Sequence, residues 1–505
     1  MAVRFPAIAA ALLLAALAVR LAWADGAPRM LVIAANAEPD TLDLAMTREG
    51  PSAYPILENM TERLVGEETD GKFVPTLATW ELAADGKELV FHLKPGIKFS
   101  SGDPLTARDI VFAYERAKAK APMFLRHARF VDSITAVDDH TVKLRFKQPD
   151  VGFIAWRGLL AESMAYYNRV GEKEFVAHPV GTGPYKIVDY KPGDHLDMAR
   201  FDGYWGRKPA VDKARFVFIK DDTTRIAKLK AGEVDLIMNT PYADVDALHA
   251  AGFHTRTLAA FPSVSIQFQI ANKKAPWADV RVRRAIAEAI DADAIIKGLF
   301  HGVPDRYPRL APGELGYDPT LRNYRYDPAD ARKLLAEAGY PHGFKMPFYT
   351  WAGTYYGIPE TAEAAVLYLK AVGIDAEMIP LDAPKYMDKV RSVARRPDAE
   401  FVGLATLPMA NLSDPTDALS VYYSSSAFSI YRDAALDTAI GRALGELDPA
   451  KRADDIKAAF RLMQDQVATI VVWDSVSVYT MKRDLDYTPL PRMFPLLLLQ
   501  NVALK

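Results

Sequence analysis

Hydrophobic and polar positions follow the two patterns that distinguish strands from helices. Met30–Ala35 is a short apolar run of the kind that forms a buried strand. Leu89, Phe91 and Leu93 place large apolar side chains at every second position, between two turn sequences, Asp85-Gly86 and Pro95-Gly96. Because successive side chains of a strand point to opposite faces, this alternation predicts a half-buried strand within a hairpin.

Helix start signals are equally clear. Thr106 is followed three residues later by Asp109, a combination that satisfies the free N–H groups of a first helical turn. We therefore predict a helix that runs from this cap to about Lys120. Asp327, followed by a proline and later by Gly339, predicts another helix with its cap, first turn and stop in the expected order. Strand and helix signals alternate along the whole sequence, which predicts the α/β fold class.

The first 24 residues differ from the rest of the chain. Arg4 precedes an apolar run at residues 7–19, and the small-x-small sequence Ala22-Trp23-Ala24 follows. These are the parts of a cleavable signal peptide, so we predict export to the periplasm and cleavage after Ala24. The run is shorter than the roughly 20 apolar residues of a membrane-spanning helix, and Arg20 interrupts it. An uncleaved anchor is the alternative.

Length, charge and cysteine content narrow the class of protein. The chain has 505 residues, and a single core stops growing near about 250–300 residues, so two large lobes or several domains are expected. The 62 basic and 64 acidic residues give a formal net charge of −2, which provides no field that would attract nucleic acid. The sequence has no cysteine, hence neither a disulfide nor a lipidation site, and we expect a freely soluble periplasmic protein.

The most distinctive local motif is Val180-Gly181-Thr182-Gly183-Pro184-Tyr185. Two close glycines could suggest a dinucleotide-binding loop, but the third glycine is absent and Pro184 prevents a helix from starting there. We interpret the motif as a tight turn that leads into a strand, with glycines in backbone conformations closed to other residues.

Several segments, this motif included, occur in the order found in a known family. Together they resemble the bacterial extracellular solute-binding proteins of family 5, the oligopeptide, dipeptide and nickel group, over nearly the whole predicted mature chain. Many collinear segments are far more specific than any one of them. The matching segments are Glu38-Pro39-Asp40-Thr41-Leu42-Asp43, Pro75-Thr76-Leu77-Ala78, Trp80-Glu81, Phe91-His92-Leu93-Lys94, Gly102-Asp103-Pro104-Leu105-Thr106-Ala107, Gly181 to Tyr185, Tyr204-Trp205-Gly206, Leu229 to Asp235, Asp279 to Ile286 and Asp414-Pro415.

The resemblance implies an α/β, two-lobed fold, periplasmic binding protein-like (type II, large cluster C-type), with a hinge and an interlobe ligand cleft. It implies that residues 25–270 form lobe I, with an extra subdomain at about 66–177. Residues 271–474 would form lobe II, and residues 475–505 would return to lobe I.

The implied function is that of the periplasmic substrate-binding component of an ABC importer. Crossovers near residues 269–273 and 472–475 would connect the lobes, and hinge closure over the ligand would form the surface that a permease recognises. The expected partners are a small-molecule or short peptide-like ligand and the permease transmembrane subunits, with no nucleic acid, and we expect a monomer. A nickel, metal-chelate or haem binding protein and a periplasmic chaperone or signalling receptor are alternatives on the same scaffold.

Two positions implied by the resemblance bear on the ligand. Family members that bind dipeptides hold the ligand amine with an aspartate three residues before an Asp-Pro step, and the ligand carboxylate with an arginine four residues before a proline. The corresponding residues here are Asn411 and Tyr355. Neither carries a charge, and an ammonium group buried without a counter-charge is costly. We therefore expect a neutral or partly charged polar solute, such as a glycoside, a sugar conjugate or a blocked peptide.

Further candidate ligand contacts are mainly aromatic. Trp351 and Tyr356 lie in the same segment as Tyr355, and Trp473 and Asp474 lie at the second crossover. Flat aromatic faces suit sugar rings or aromatic groups, although core packing beside the hinge would explain the two tryptophans as well. Asp474 would either offer a charge to the ligand or cap the crossover.

Enzymatic and metal-binding motifs are missing from the sequence. It contains no His-Glu-x-x-His, no Gly-x-Ser-x-Gly and no phosphate-binding loop, so we predict a binding protein without catalytic residues and without a cofactor. The nine histidines are scattered. The closest pair, His249 and His254, does not lie on one helical face, so no dedicated metal site is predicted.

Overall fold

The structure is a computed structural model that describes residues 30–47, 50–68, 72–120, 130–154, 159–352, 357–407, 414–426, 428–490 and 496–505. The predicted signal peptide, residues 1–24, lies outside the described residues. So do three predicted ligand residues, Tyr355, Tyr356 and Asn411.

Strands and helices alternate through the described chain, which confirms the predicted α/β class. The strands are β1 (Met30–Ala35), β2 (Val65–Glu67), β3 (Phe73–Pro75), β4 (Ala78–Leu82), β5 (Glu88–Leu93), β6 (Val131–Ala136), β7 (Thr141–Phe146), β8 (Tyr185–Lys191), β9 (His195–Arg200), β10 (Lys213–Phe218), β11 (Leu236–Ile237), β12 (His254–Phe268), β13 (Phe344–Ala352), β14 (Ile374–Asp382), β15 (Val402–Leu407), β16 (Thr469–Met481), β17 (Leu485–Tyr487) and β18 (Val502–Leu504). The α-helices are α1 (Gly50–Leu57), α2 (Ala107–Lys120), α3 (Met164–Val170), α4 (Glu172–Ala177), α5 (Asp222–Ala231), α6 (Val245–Ala250), α7 (Val280–Ala289), α8 (Ala292–Phe300), α9 (Pro328–Glu337), α10 (Ile358–Ala371), α11 (Ala383–Ala394), α12 (Thr416–Ser420), α13 (Ala434–Gly445) and α14 (Pro449–Asp465).

A ten-stranded sheet runs through the described structure in the order β14-β13-β15-β12-β16-β11-β1-β10-β9-β8. Each half of the sheet contains a parallel pair, β13 with β14 in one half and β1 with β10 in the other. The long strands β12 and β16 are antiparallel to each other and lie in the middle of the order, so they join the two halves of the sheet. Their pairing is interrupted between Ala259 and Ser263.

Three large hydrophobic cores pack around this framework. The first core surrounds β1 and β10, the second packs α2 against a separate four-stranded sheet in the order β4-β5-β7-β6, and the third contains most of the chain that follows β12. Strand β12 contacts the first core at Leu258 and enters the third at Val264. Strand β16 returns from the third core to the first between Val478 and Tyr479. The chain thus changes core on β12 before the predicted crossover at residues 269–273, and the predicted domain limits stay predictions.

Local signals in the sequence place several elements correctly. Strands β4 and β5 form the predicted hairpin, with Gly86 at φ 66° in its turn. The Asp109 carboxylate accepts hydrogen bonds from the backbone N–H and the hydroxyl of Thr106, both at 2.8 Å, which stabilises the start of α2. The Asp327 side chain caps α9, and Gly339 follows that helix at φ 94°. These contacts span few residues, which is why the sequence alone predicts them.

The turn around Gly181 and Gly183 corrects one interpretation. Neither glycine has a positive φ, so a backbone conformation closed to other residues is the wrong reason for them. Both instead pass the carbonyl oxygen of Met60, where a Cβ on Gly181 would lie 2.1 Å from that oxygen and a Cβ on Gly183 would lie 2.6 Å from it. The Gly183 N–H donates to the same carbonyl at 2.8 Å. Glycine is needed here because two backbone segments touch, and the turn leads into β8 as predicted.

Candidate functional site

One face of the sheet in the third core carries polar and aromatic side chains next to one another. Ser265 of β12 pairs with Ala405 of β15, and Gln267 pairs with Gly403. Gly403 also pairs with the residue of β13 that lies two positions before Trp351. Directly paired residues point to the same side of a sheet, and so do residues two apart in one strand. The register therefore places Trp351 on the same face as the two polar side chains of β12.

The small residues of β15 leave room above this face. A Cβ on Gly403 would lie 2.4 Å from the hydroxyl oxygen of Tyr386, a residue of α11. The Tyr386 ring stacks on the indole of Trp351, with 5.8 Å between the ring centroids and 24° between the planes. A cavity of about 60 Å³ opens beside this pair. Its lining is Gln267, Phe268, Trp351, Tyr386, Met387, Val390, Thr406, Val421, Tyr422, Phe428, Ile430, Tyr431 and Ala468.

The cavity is uncharged, because none of the described residues that line it is acidic, basic or a histidine. Two polar atoms at this face, the hydroxyl of Tyr386 in the lining and the hydroxyl of Ser265 on the adjoining sheet, are buried and have no hydrogen-bond partner within the described structure. Burial raises the pKa of the Tyr386 phenol, which therefore stays neutral. A buried polar group without a partner costs about 1–3 kcal/mol. A ligand that supplies a partner would recover part of that cost.

Asp474 holds the sheet to a neighbouring loop. Its carboxylate accepts a short hydrogen bond from the Ser263 hydroxyl and a 2.7 Å hydrogen bond from the backbone N–H of Tyr307, while its own N–H donates to the carbonyl of Asp305 at 2.9 Å. Burial raises the pKa of the Asp474 carboxyl to about 6, against the lowering effect of the Ser263 and Tyr307 hydrogen bonds. Burial also raises the pKa of nearby Glu314 to about 8. Asp474 therefore links β12 and β16 to the loop at residues 305–307, and a ligand contact by its carboxylate stays a prediction.

Trp473, the neighbour of Asp474, packs in the third core. It is 1% exposed, and its indole N–H donates to the hydroxyl of Thr361 at 3.1 Å. Its ring contacts Phe300 at a centroid distance of 4.7 Å. This is the core-packing environment that the sequence left open for Trp473, and a ligand contact by this residue stays a prediction.

Trp351, a predicted ligand contact, lines this cavity, whereas the side chains around it were not predicted as contacts. Tyr386 and Val390 lie one helical turn apart on α11, a spacing that indicates a buried helix face and nothing more specific. Gln267 lies in a strand whose pattern of burial continues on both sides of it. Only the packing of α11 over β12, β13 and β15 brings these residues together.

Metal binding and membrane insertion find little support among the described residues. One group of possible metal ligands, Asp189, His195 and Asp197, has its ligand atoms within 4.8 Å of one another in the described chain. Asp197, however, already forms a bidentate pair with Arg215 at 2.7 and 2.6 Å. The group lies on β8 and β9, at the opposite end of the sheet order from β13. None of the described helices is long and apolar enough to cross a membrane.

Comparisons with known proteins give a consistent result. The model of the bacterial extracellular solute-binding proteins, family 5 middle region, matches residues 72–429. The heme-binding protein A of Haemophilus influenzae is 27% identical over 481 residues, covering 86% of this chain and 84% of the relative. The dipeptide-binding protein of Escherichia coli is 26% identical over 459 residues, covering 83% and 84%. The chain also superposes on the structure of the periplasmic binding protein DppA from Helicobacter pylori in complex with the peptide STSA, with a TM-score of 0.82 at 22% identity. The superposition covers 94% of this chain and 98% of that one, so the two share a fold.

Proposed function

The chain belongs to family 5 of the bacterial extracellular solute-binding proteins and has their two-lobed α/β fold, and we propose that it is the periplasmic binding component of an ABC importer. In this proposal a solute binds between the lobes, and closure about β12 and β16 presents the loaded protein to the permease transmembrane subunits. The observation that carries the proposal is the family match across residues 72–429, which spans all three cores.

We propose that the protein is exported after cleavage behind Ala24 and acts as a periplasmic monomer. The positive, apolar and small-residue parts of the N-terminal segment support export. Sequencing the N-terminus of protein isolated from the periplasm should give Asp25 as the first residue. A chain that still begins at Met1 in the membrane fraction would instead support the uncleaved anchor.

The uncharged cavity beside Trp351 supports a solute that is neutral where it meets lobe II. The predicted anchor positions Tyr355 and Asn411 carry no charge either, so a free amine or carboxylate would lack a buried partner there. Isothermal titration with free di- and tripeptides should therefore show no micromolar binding. Micromolar affinity for these peptides would contradict the neutral-solute proposal without affecting the importer proposal.

Trp351 is the described residue for which a ligand contact has most support, since it lines the cavity. Tyr355, Tyr356 and Asn411 are proposed contacts from the sequence, and Asp474 is proposed to position the crossover. Replacing Trp351 with alanine should weaken binding of the co-purified solute at least about tenfold, as expected for loss of a large aromatic contact. The matched control is Trp205→Ala, because that indole contacts Glu62 in the second core at 2.9 Å.

The central experiment identifies the natural solute. Untagged protein is isolated from the periplasm and analysed by native mass spectrometry, and the released compound is then offered to wild-type and deletion strains. We expect a bound small molecule, a compact conformation in solution scattering when it is present, and loss of its uptake in the deletion strain. Binding without any effect on uptake would favour a signalling receptor, and turnover of the compound would point to an enzyme.

A metal chelate or haem is the second candidate solute, because the relative named heme-binding protein A matches 86% of this chain. Such a planar ligand would lie in the interlobe cleft, because the cavity beside Trp351 has room for only a few heavy atoms, whereas a neutral organic solute could place a small group in the cavity. Metal analysis and visible absorption of the same untagged preparation decide between them. A stoichiometric metal content or a haem absorption band would favour the second candidate.

A further inference from the structure

We infer that the cavity beside Trp351 and Tyr386 is a subsite for one compact, uncharged, apolar group that carries a hydrogen-bond acceptor. The inference rests on the proposed function, because it describes the part of the solute that enters lobe II.

The size and the walls of the cavity suit a compact apolar group. The cavity measures about 60 Å³. An apolar cavity of about 150 Å³ holds a benzene ring. The smaller space here fits a group of a few heavy atoms, and its walls of aromatic rings and of Met387, Val390 and Ile430 are apolar. Burying a compact apolar group against such walls is favourable, at roughly 25 cal/mol for each Å² removed from water.

The described lining offers no partner for a charged group. The described lining has no ionised side chain, so a carboxylate or an ammonium group inside it would lose its hydration without gaining a counter-ion. Two cationic side chains contact lining residues from outside: Arg283 donates to the Tyr431 hydroxyl at 3.4 Å, and the guanidinium carbon of Arg391 lies 6.0 Å from the ring centroid of Phe428. Neither arginine lines the cavity itself. The subsite therefore selects against charged groups of the same size.

The hydroxyl of Tyr386 supplies a specific polar contact. The side chain is 2% exposed, and its hydroxyl has no partner among the described residues. This hydroxyl lies over Gly403, at a place where any other residue would put a Cβ 2.4 Å from it. The glycine thus leaves room for the hydroxyl of a tyrosine whose side chain lines the cavity. An acceptor on the bound group would supply a hydrogen-bond partner for that hydroxyl.

Small probes test the subsite without knowledge of the whole solute. Butanone is apolar and carries one acceptor, whereas butyrate has nearly the same size and a charge. Saturation-transfer NMR should show millimolar binding of butanone to the wild-type protein, with butyrate at least about a hundredfold weaker because its charge would be buried. Equal binding of both probes, or no binding of butanone, would overturn the inference.

Two variants locate the binding. Val390→Phe fills the cavity and should weaken butanone binding at least about tenfold. Tyr386→Phe removes only the hydroxyl, so the fold is kept, and should weaken butanone binding about two- to tenfold. Tyr479→Phe is the matched control, because the buried Tyr479 hydroxyl already donates to the Leu496 carbonyl at 3.0 Å in the first core. Unchanged butanone affinity in Tyr386→Phe, together with unchanged affinity in a folded Val390→Phe protein, would overturn the inference.

The proposed function and the subsite fail in different ways. A protein that co-purifies with a solute and restores uptake, yet does not bind butanone, refutes the subsite and leaves the importer component intact. A protein that binds butanone at this cavity but carries no solute and has no effect on uptake keeps the subsite and refutes the importer component.

Discussion

Replacing Arg116 should destabilise the protein far more than replacing a surface arginine. Arg116 of α2 pairs with Glu162 at 3.0 Å and with Asp43 at a shorter distance. The exposed fractions of the three side chains are 4%, 8% and 2%. Asp43 is flanked in the chain by Leu42 and Leu44 of the first core, and Arg116 is on the helix α2 that packs in the second core, so this cluster joins the two cores. One guanidinium thus compensates two buried carboxylates.

The expected magnitude follows from what the substitution leaves behind. Arg116→Met keeps the volume that packs against Phe175, whose ring centroid lies 5.0 Å from the guanidinium carbon, but leaves two carboxylates without a cation. Breaking a buried ion pair by removing one partner costs about 3–5 kcal/mol. The matched control is Arg169→Met, because Arg169 is 52% exposed in its pair with Asp103 and exposed pairs contribute about 0–1 kcal/mol.

The loss should also depend on pH. Burial, followed by the nearby charge of Asp43, raises the pKa of Glu162, and removing Arg116 would raise it further. A native carboxyl with a raised pKa binds its proton more tightly than the unfolded chain does, so its contribution is most favourable at low pH and is lost as the pH rises toward the native pKa. The Arg116→Met protein should therefore be closer to wild type at pH 5 than at pH 7.5.

Urea unfolding followed by tryptophan fluorescence at both pH values measures these differences. The triple variant Asp43→Asn, Arg116→Met, Glu162→Gln, which has no buried charge in the cluster, should recover much of the lost stability. If Arg116→Met and Arg169→Met unfold at the same urea concentration at pH 7.5, the cluster does not stabilise the protein as described.

Three further predictions concern single positions, all measured by thermal or urea unfolding. Gly183→Ala should destabilise the protein by several kcal/mol, because the added Cβ would meet the Met60 carbonyl. Gly441→Ala, in a helix where the added Cβ has only ordinary contacts, should stabilise the protein by about 0.5–1 kcal/mol. Similar effects at both sites would refute the close approach of the two backbone segments at Gly183. Asp474→Asn should be at least as stable as wild type at pH 7. The native pKa of about 6 means that the stability of the wild-type protein falls as the pH rises from 4 to 6. A variant much less stable than wild type at pH 7 would contradict this direction of the pH dependence. Asp448→Ala should cost about 1 kcal/mol through loss of two cap hydrogen bonds, and an unchanged midpoint would show that the cap is replaceable.

The candidate site shows where sequence reasoning stopped. Trp351 is a predicted ligand contact because it is a large aromatic residue in a segment that the family resemblance connects with the ligand. Tyr386 was not found, because its only local signal is a helical spacing shared with every buried helix face. Its unpaired hydroxyl exists only because Gly403, on a strand that follows in the chain, lies beneath it.

The sequence by itself determined the α/β class, the capped starts of α2 and α9, the hairpin of β4 and β5, and the family. Each of these depends on residues a few positions apart or on the order of motifs, which the sequence displays directly. The tertiary structure alone decided why Gly181 and Gly183 are glycines, which carboxylates surround Arg116, and which side chains line the cavity. These contacts join residues that are distant in the chain, and their geometry depends on strand register and on helix packing that local patterns do not encode.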